Sequence, residues 1–488
     1  MNCLTKNTNN KCVLQLKLLA SIFSLSVLAA CGGGGGSAGK ATQGNTVLPP
    51  ATSVKNLCSA PRAGTADRQG TLDQEKAYLR SFVDETYLWY NEVPVVSPAG
   101  YSTAQSYFDV LKTPRKTASG RSVDEFHWSV TEEEYDQQSS GISEGYGIEW
   151  ARAVSSPPRN WIVANVEPSS PAAALFKRGD KLKMVDGVDF VSGNDVNTIN
   201  AALFPENLNS HTFEVIRDSQ TLSFTVTPAL ISTTPVRYTK VITQNGVKVG
   251  YVYFDDHIAK SEAMLITAFQ SLKDQGAERL VLDLRYNGGG LLSISSEVAY
   301  MIGGSNTTGK IFNKLVYNNK RTADNYQFPF YDTASPEIGG AVLPTLSLNK
   351  VTILTSGGTA SASEAIINGL RGVDVEVTLI GETTRGKPYG FVPQDNCGWV
   401  YYAVQFKGEN NKGFGDFADG FSPTCVVKDD FTKNLGDVAE GQLAAALTHI
   451  NTNQCPSPTA SVAGLKSVGI GANYVVTPNP SKQLMIPR

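Results

Sequence analysis

The chain should fold as a multidomain α/β (α+β) protein: a helical N-terminal cap, a smaller β-rich domain and a mixed-sheet α/β domain. Three observations predict this. Over residues 236–455, apolar strand patterns at 249–254, 279–285, 351–355 and 375–380 alternate with helical patterns at 261–275, 292–302, 363–370 and 438–450. Residues 138–230 carry short strands and one helix, separated by Gly, Pro and Asp turns. Between 71 and 111, Leu72, Tyr78, Leu79, Phe82, Val83, Tyr87 and Leu88 recur mostly at three- and four-residue intervals, the mark of packed helix. With 488 residues, 41% apolar and 18% charged, the chain can bury large cores, and two or three domains are expected.

Taken in order, residues 1–30 read as a processing segment. Lys6, Lys11 and Lys17 form a basic region, followed by an apolar run over 18–30. The run ends Leu28-Ala29-Ala30-Cys31, which resembles a bacterial lipoprotein signal. Cleavage before Cys31 would leave a lipidated cysteine as the new N-terminus. Gly32 stands where an inner-membrane retention signal would place aspartate, so the expected address is the outer membrane, facing the periplasm. Residues 31–57, rich in Gly, Ser, Thr and Pro, are expected to be a flexible tether. Then come the helical region 58–137, the β-rich unit 138–230, the α/β unit 236–455 and a loosely packed tail, 456–488. Within the α/β unit, 304–345 reads as an insertion forming a lid or substrate wall.

The charge balance limits the partners. The chain has 42 basic and 45 acidic residues, and loss of three lysines with the signal leaves a net charge of −6. Without a basic patch, nucleic acid is not an expected partner. Beyond the signal, no apolar run is long enough to span a bilayer, so membrane contact would come through the lipid. After removal of Cys3 and Cys12 and lipidation of Cys31, Cys58, Cys397, Cys425 and Cys455 remain, an even number suited to an oxidising compartment. Of three possible pairings, Cys397–Cys425 and Cys58–Cys455 are the expected ones. Without paired short CxxC spacing, no metal is expected.

The chemistry sits in three segments. Ser361 lies in Thr359-Ala360-Ser361-Ala362-Ser363-Glu364, between a buried strand and a helix, where backbone N–H groups at the helix start can stabilise an oxyanion. A serine hydroxyl needs a base, and Lys387, in Gly381-Glu382-Thr383-Thr384-Arg385-Gly386-Lys387, can serve if burial depresses its pKa. The third segment is the strand 279–285 running into Tyr286-Asn287-Gly288-Gly289-Gly290, where three glycines allow close backbone approach to a ligand.

In this order, DLRYNGGG, TASASE and GETTRGK resemble the C-terminal processing peptidases, or tail-specific proteases, a serine-lysine family that cleaves polypeptides near their C-termini. The resemblance implies Ser361 as nucleophile, Lys387 as general base, and an oxyanion hole from the N–H groups of Ala362 and Gly289. It makes 236–455 the catalytic domain, with polypeptides as substrates and no cofactor. The order Gly145-Tyr146-Gly147-Ile148, SSPAAAL, RGDKL, VDG in 138–230 resembles a PDZ domain, which accepts a peptide as an added strand and caps its carboxylate with loop N–H groups. Some positions depart from the peptidase pattern. Phe391 replaces the glutamine that orients the lysine in many members, with Gln394 nearby, and Pro388 replaces a glycine. The acid often found past the serine is missing, Asp374 being the nearest. Two other readings stand beside this one. His257 in Asp255-Asp256-His257 could serve a Ser-His-Asp site, although the Gly-x-Ser-x-Gly elbow of lipases is absent around Ser361. A lapsed enzyme could survive as a peptide-binding lipoprotein. Oligomeric state is open.

Overall fold

The structure, a computed structural model, describes residues 48–205, 207–456 and 475–476. The expected signal, Cys31 and nearly all of the tail lie outside the described residues. The expected tether ends sooner than residue 57. Ala51–Val54 is a helical turn whose Ala51 N–H donates to Glu85 Oε1 at 2.8 Å, and Leu57–Cys58 pairs with Arg68–Gln69.

In the N-terminal region, helix α1 (Leu72–Thr86) is capped by the Thr71 side chain, which accepts from Gln74 N. It buries Tyr78, Leu79, Phe82 and Val83, the residues of the apolar stripe. Strand β1 (Trp128–Thr131) follows. The aromatics here share one core with Tyr389, Phe391 and residues 400–404, so the helical region packs directly on the segment after Lys387. In the β-rich unit, β2 (Ile148–Val154) pairs antiparallel with Asn160–Val166.

The large sheet has the order β3 (Val236–Gln244), β4 (Val247–Phe254), β5 (Arg279–Asp283), β6 (Lys350–Thr355), β7 (Glu376–Gly381) and β9 (Cys425–Val426), the hairpin β3–β4 being antiparallel and the rest parallel. The connecting helices are α2 (Ala259–Asp274) between β4 and β5, α3 (Leu292–Gly303) between β5 and β6, and α4 (Ala362–Gly372) between β6 and β7. Alternation along the strands fills two cores. Val252, Leu280, Leu282, Ile353 and Leu379 pack with the three helices. Tyr251, Val281, Leu354 and Ile380 pack with Leu443 and Ala446 of α5 (Gly441–Thr452) and with Ala151 and Ile162 of the β-rich unit. Between β7 and β9, strand β8 (Trp399–Tyr402) pairs with β1. The expected insertion is ordered: Ile311–Tyr317 pairs with Tyr326–Pro329 and with Phe406–Glu409. Near the C-terminus, β10 (Val475–Val476) lies antiparallel to β2, pairing with Arg152 and Ala151.

The four cysteines are all bridged, but not as expected. The bonds are Cys58–Cys397 and Cys425–Cys455. Cys58 is fixed by its strand beside the turn before β8, where Asn56 N donates to Asn396 Oδ1 at 2.7 Å. Cys425 lies on the edge strand beside the end of α5. The expected pairing failed because the distance from residue 58 to 397 is set by the packing of the N-terminal region on β8.

Candidate active site

Strands β5, β6 and β7 are adjacent and parallel, so the three segments that follow them emerge at one sheet edge, where open α/β sheets place their sites. This explains why motifs over a hundred residues apart converge. Ser361 and Lys387 line one pocket with Phe312, Asn313, Ala365, Asn368, Pro388, Gly408 and Phe417. Both are 2% exposed. Phe312 and Asn313 come from the expected insertion, which therefore contributes a wall.

Ser361 sits at a sharp turn from β6 into α4, with φ 60° and ψ −116°. For a residue with a Cβ, such backbone costs on the order of 1–3 kcal/mol and persists only when its surroundings hold it. The elbow is built from small residues rather than the lipase glycine pattern. Ala360 N donates to Asn287 O at 3.1 Å, and Ser363 Oγ donates to the same carbonyl at 3.1 Å.

Glu364 holds the nucleophile and the lysine segment together. It is fully buried, and its carboxylate accepts from Ser361 N at 2.9 Å, Lys387 N at 2.8 Å, Gly386 N at 2.8 Å and Thr384 Oγ1 at 2.5 Å. Burial pushes its pKa up, against the four hydrogen bonds that pull it down. Sequence reasoning assigned no role to Glu364, although a Ser-x-x-Glu spacing at a helix start is the capping-box signal.

Lys387 is held well below the ordinary lysine range, first by desolvation. Asp124 and Glu364 act in the opposite sense, and Arg385 adds to the depression. Its Nζ lies 4.2 Å from the ring centre of Phe391, 4.9 Å from Phe126 and 5.9 Å from Trp128. Phe126 and Trp128 had no signal in the sequence, because they reach the lysine only through the packing of the N-terminal region on β8 and its neighbours. Gln394 donates to its neighbour's carbonyl, Pro393 O, at 2.9 Å, in a strand facing β8. Asp374 is exposed and ion-paired with Lys412 at the surface, so it does not serve as the missing acid.

Gly289 lies against the serine turn. A Cβ there would fall 2.8 Å from Ser361 Cβ and 2.9 Å from Ala362 N, and φ is 104°, so only glycine fits. Its N–H, however, donates to Asn287 Oδ1 at 2.9 Å. In this state the expected oxyanion donor is satisfied internally, by a side-chain oxygen of its own loop. Ala362 begins α4, where the first N–H groups have no intrahelical acceptor. His257 packs against the glycine loop: its Nδ1 is 3.0 Å from Asn287 Oδ1, its N donates to Gly289 O and its O accepts from Leu291 N.

The loop base is pinned by buried charge. Arg285, fully buried, donates to Glu440 at 2.8 and 2.9 Å, to Asp283 at 2.9 and 3.0 Å and to Asp429 at 2.8 Å. Arg178 of the β-rich unit reaches Asp429 at 2.5 Å and Tyr286 Oη at 2.6 Å. Two guanidiniums thus face three carboxylates, and each buried arginine has a carboxylate partner.

Residues 248–395, from β4 past Lys387, match peptidase family S41. Over this segment the chain is similar to the S41 peptidases. It resembles the C-terminal processing peptidases: it is 30% identical over 233 residues to a carboxyl-terminal-processing protease of Picosynechococcus sp., covering 45% of this chain and 49% of that one. To a carboxyl-terminal-processing peptidase of Arabidopsis thaliana chloroplasts it is 27% identical over 273 residues, covering 54% of this chain and 51% of that one. The chain thus spans about half the length of the curated relatives it matches. The fold also matches the crystal structure of a Bacteroides fragilis protein assigned to the S41 proteases, with TM-score 0.62 and 23% identity, over 77% of this chain and 97% of that one. The S41 segment contains Gly289, Ser361 and Lys387. Phe126 and Trp128 lie outside it.

Proposed function

We propose that this protein is an exported, lipid-anchored serine endopeptidase that cuts unstructured or C-terminal polypeptide segments through a Ser361–Lys387 dyad. One observation carries the reading: a serine on a strained elbow shares a pocket with a lysine whose burial favours the neutral amine. Neutral Lys387 would take the Ser361 proton as Oγ attacks the scissile carbonyl, and water would then release the acyl-enzyme. Ala362 N–H, with Gly289 N–H once it leaves Asn287, would bind the oxyanion. The 138–230 unit would act as a PDZ-like recruiter, with Gly145, Tyr146, Gly147 and Ile148 capping the peptide carboxylate. Tyr146 is buried, its Oη donating to Ala202 O at 2.8 Å. Cys31 would carry the lipid and hold the protein at the outer membrane, facing the periplasm.

The test is degradation of an unfolded reporter across a pH series. The base must be deprotonated, so the rate should rise with pH and level off below the ordinary lysine range of about 10.4. A limb governed by a group near ~6.5, the unperturbed histidine value, would remove the lysine from its role. The engaged Gly289 N–H favours a second reading, a resting enzyme that needs peptide or partner to open the oxyanion hole. That reading expects a lag abolished by prior incubation with a carboxyl-ended peptide.

A further inference from the structure

We propose that Phe126, Trp128 and Phe391 are positioning residues that box the Lys387 amine, so that the N-terminal region is part of the active site rather than a cap. This rests on the dyad reading above. Three aromatic faces surround Nζ within 4.2–5.9 Å. Phe391 is fully buried and Phe126 nearly so. Trp128 is locked by stacking on Tyr402 at 3.9 Å with an interplanar angle of 4°, and by edge contact with Phe391 at 5.0 Å. The box does two jobs. Its apolar volume excludes water, which disfavours the ammonium. Its ring faces still attract whatever positive charge the amine gains, keeping Nζ in place as it takes the serine proton. Where many members of the resembled family carry a glutamine, Phe391 presents a ring face to the amine. The charged groups that act on the amine are Asp124 and Glu364, which favour the ammonium, and Arg385, which opposes it. Asp124 is itself engaged by Tyr87 Oη at 2.6 Å and faces His127 at 3.6 Å.

The test is the pH dependence of Ser361 acylation by a fluorophosphonate probe in the full chain, which reads the base without needing a known substrate. Phe391→Gln and Trp128→Ala admit a polar group or water beside Nζ and should move the rising limb up by about one pH unit. Phe391→Leu, which stays dry but has no ring face, should leave the limb at or below its original position, and Trp128→Phe should leave it in place. Thermal unfolding checks that each variant folds, and Phe391→Gln stands in if Trp128→Ala does not. A purely structural role would lower labelling equally at every pH with no shift, and that result overturns the box alone. If the unaltered protein shows no Lys387-dependent labelling, the dyad reading falls and the box with it.

A separate observation concerns the other end of the chain. From the β10 pairing we infer that Val475–Val476 of this same chain occupies the edge where the β-rich unit would accept a peptide. Val475 pairs with Arg152 and Val476 with Ala151, antiparallel, on the edge of β2 opposite its partner Asn160–Val166. The chain runs from 475 to 476 towards Gly145–Ile148, the polarity of a peptide whose carboxyl end approaches the capping loop. The register is held by backbone pairing, so an incoming strand must displace it. In a Ser361→Ala background, deletion of 457–488 should tighten binding of a labelled, unstructured peptide with a free C-terminus by about tenfold, as release of an occupied state requires. Equal affinity with and without the tail would overturn the self-occupation and spare the peptide site. Absence of binding in both forms would sink the peptide site and, with it, the inference.

Discussion

Ser361→Ala should abolish reporter cleavage, a loss of at least about 10³-fold, while leaving the fold and peptide binding intact. Lys387→Ala should lose about 10²–10⁴-fold, and the double variant should be no worse than the serine change, because nucleophile and base act as one unit. The lysine also makes a stability prediction of opposite sign. Its folded pKa is depressed below the unfolded value, so below about pH 10.4 the unfolded chain binds a proton that the native state resists. Native stability therefore falls as pH drops from the unfolded pKa to the folded one, by about 1.4 kcal/mol for each unit of depression, and stays reduced below that. Lys387→Met keeps the apolar length and removes the penalty. The inactive variant should melt higher than the parent at neutral pH, and the gain should vanish above pH ~10.5. An inactive Lys387→Met that melts lower at neutral pH would mean that the amine is well solvated or paired, and the base assignment would lose its physical support.

The parts of this site that could be read in the sequence are those encoded locally. The strand into Gly288–Gly290, the small-residue run at Ser361 and the lysine loop each have a local reason for their composition, and chain order places them on successive parallel strands. What could not be read depends on pairings between distant segments. Trp128 reaches Lys387 because β1 adds to β8, and neither strand's periodicity says which partner it takes. The disulfides were mispaired for the same reason. Phe391 was visible as a departure from a resemblance, but its meaning lay in Phe126 and Trp128, more than 260 residues earlier. Arg285 read as the end of an apolar strand; its partners Glu440 and Asp429 follow β9, and only the completed sheet shows that the charge is paired.

Glu364 provides the second large effect. Two donors meet each carboxylate oxygen, Ser361 N and Lys387 N at Oε2, Gly386 N and Thr384 Oγ1 at Oε1. Three of the four are backbone N–H groups that can only donate, which favours the carboxylate, while burial works the other way and raises the pKa. Alanine would strip all four bonds, each buried orphan costing about 1–3 kcal/mol. The strained Ser361 backbone and the Lys387 loop should then relax independently, with activity down by about 10²-fold or more and a lower melting temperature. Glutamine is the discriminating change. Its oxygen can keep Ser361 and Lys387 while its amide faces Gly386 N–H, so the clamp survives in part. The charge that favours the Lys387 ammonium is gone, so the surviving activity should show its rising limb at lower pH, the reverse of the shift expected for Phe391→Gln. If Glu364→Gln lowers activity uniformly with the limb unmoved, the carboxylate is a structural cap and its charge does not reach the base. If both changes move the limb in their predicted and opposite directions, the amine of Lys387 is the group that titrates, poised between a buried carboxylate and a dry aromatic wall.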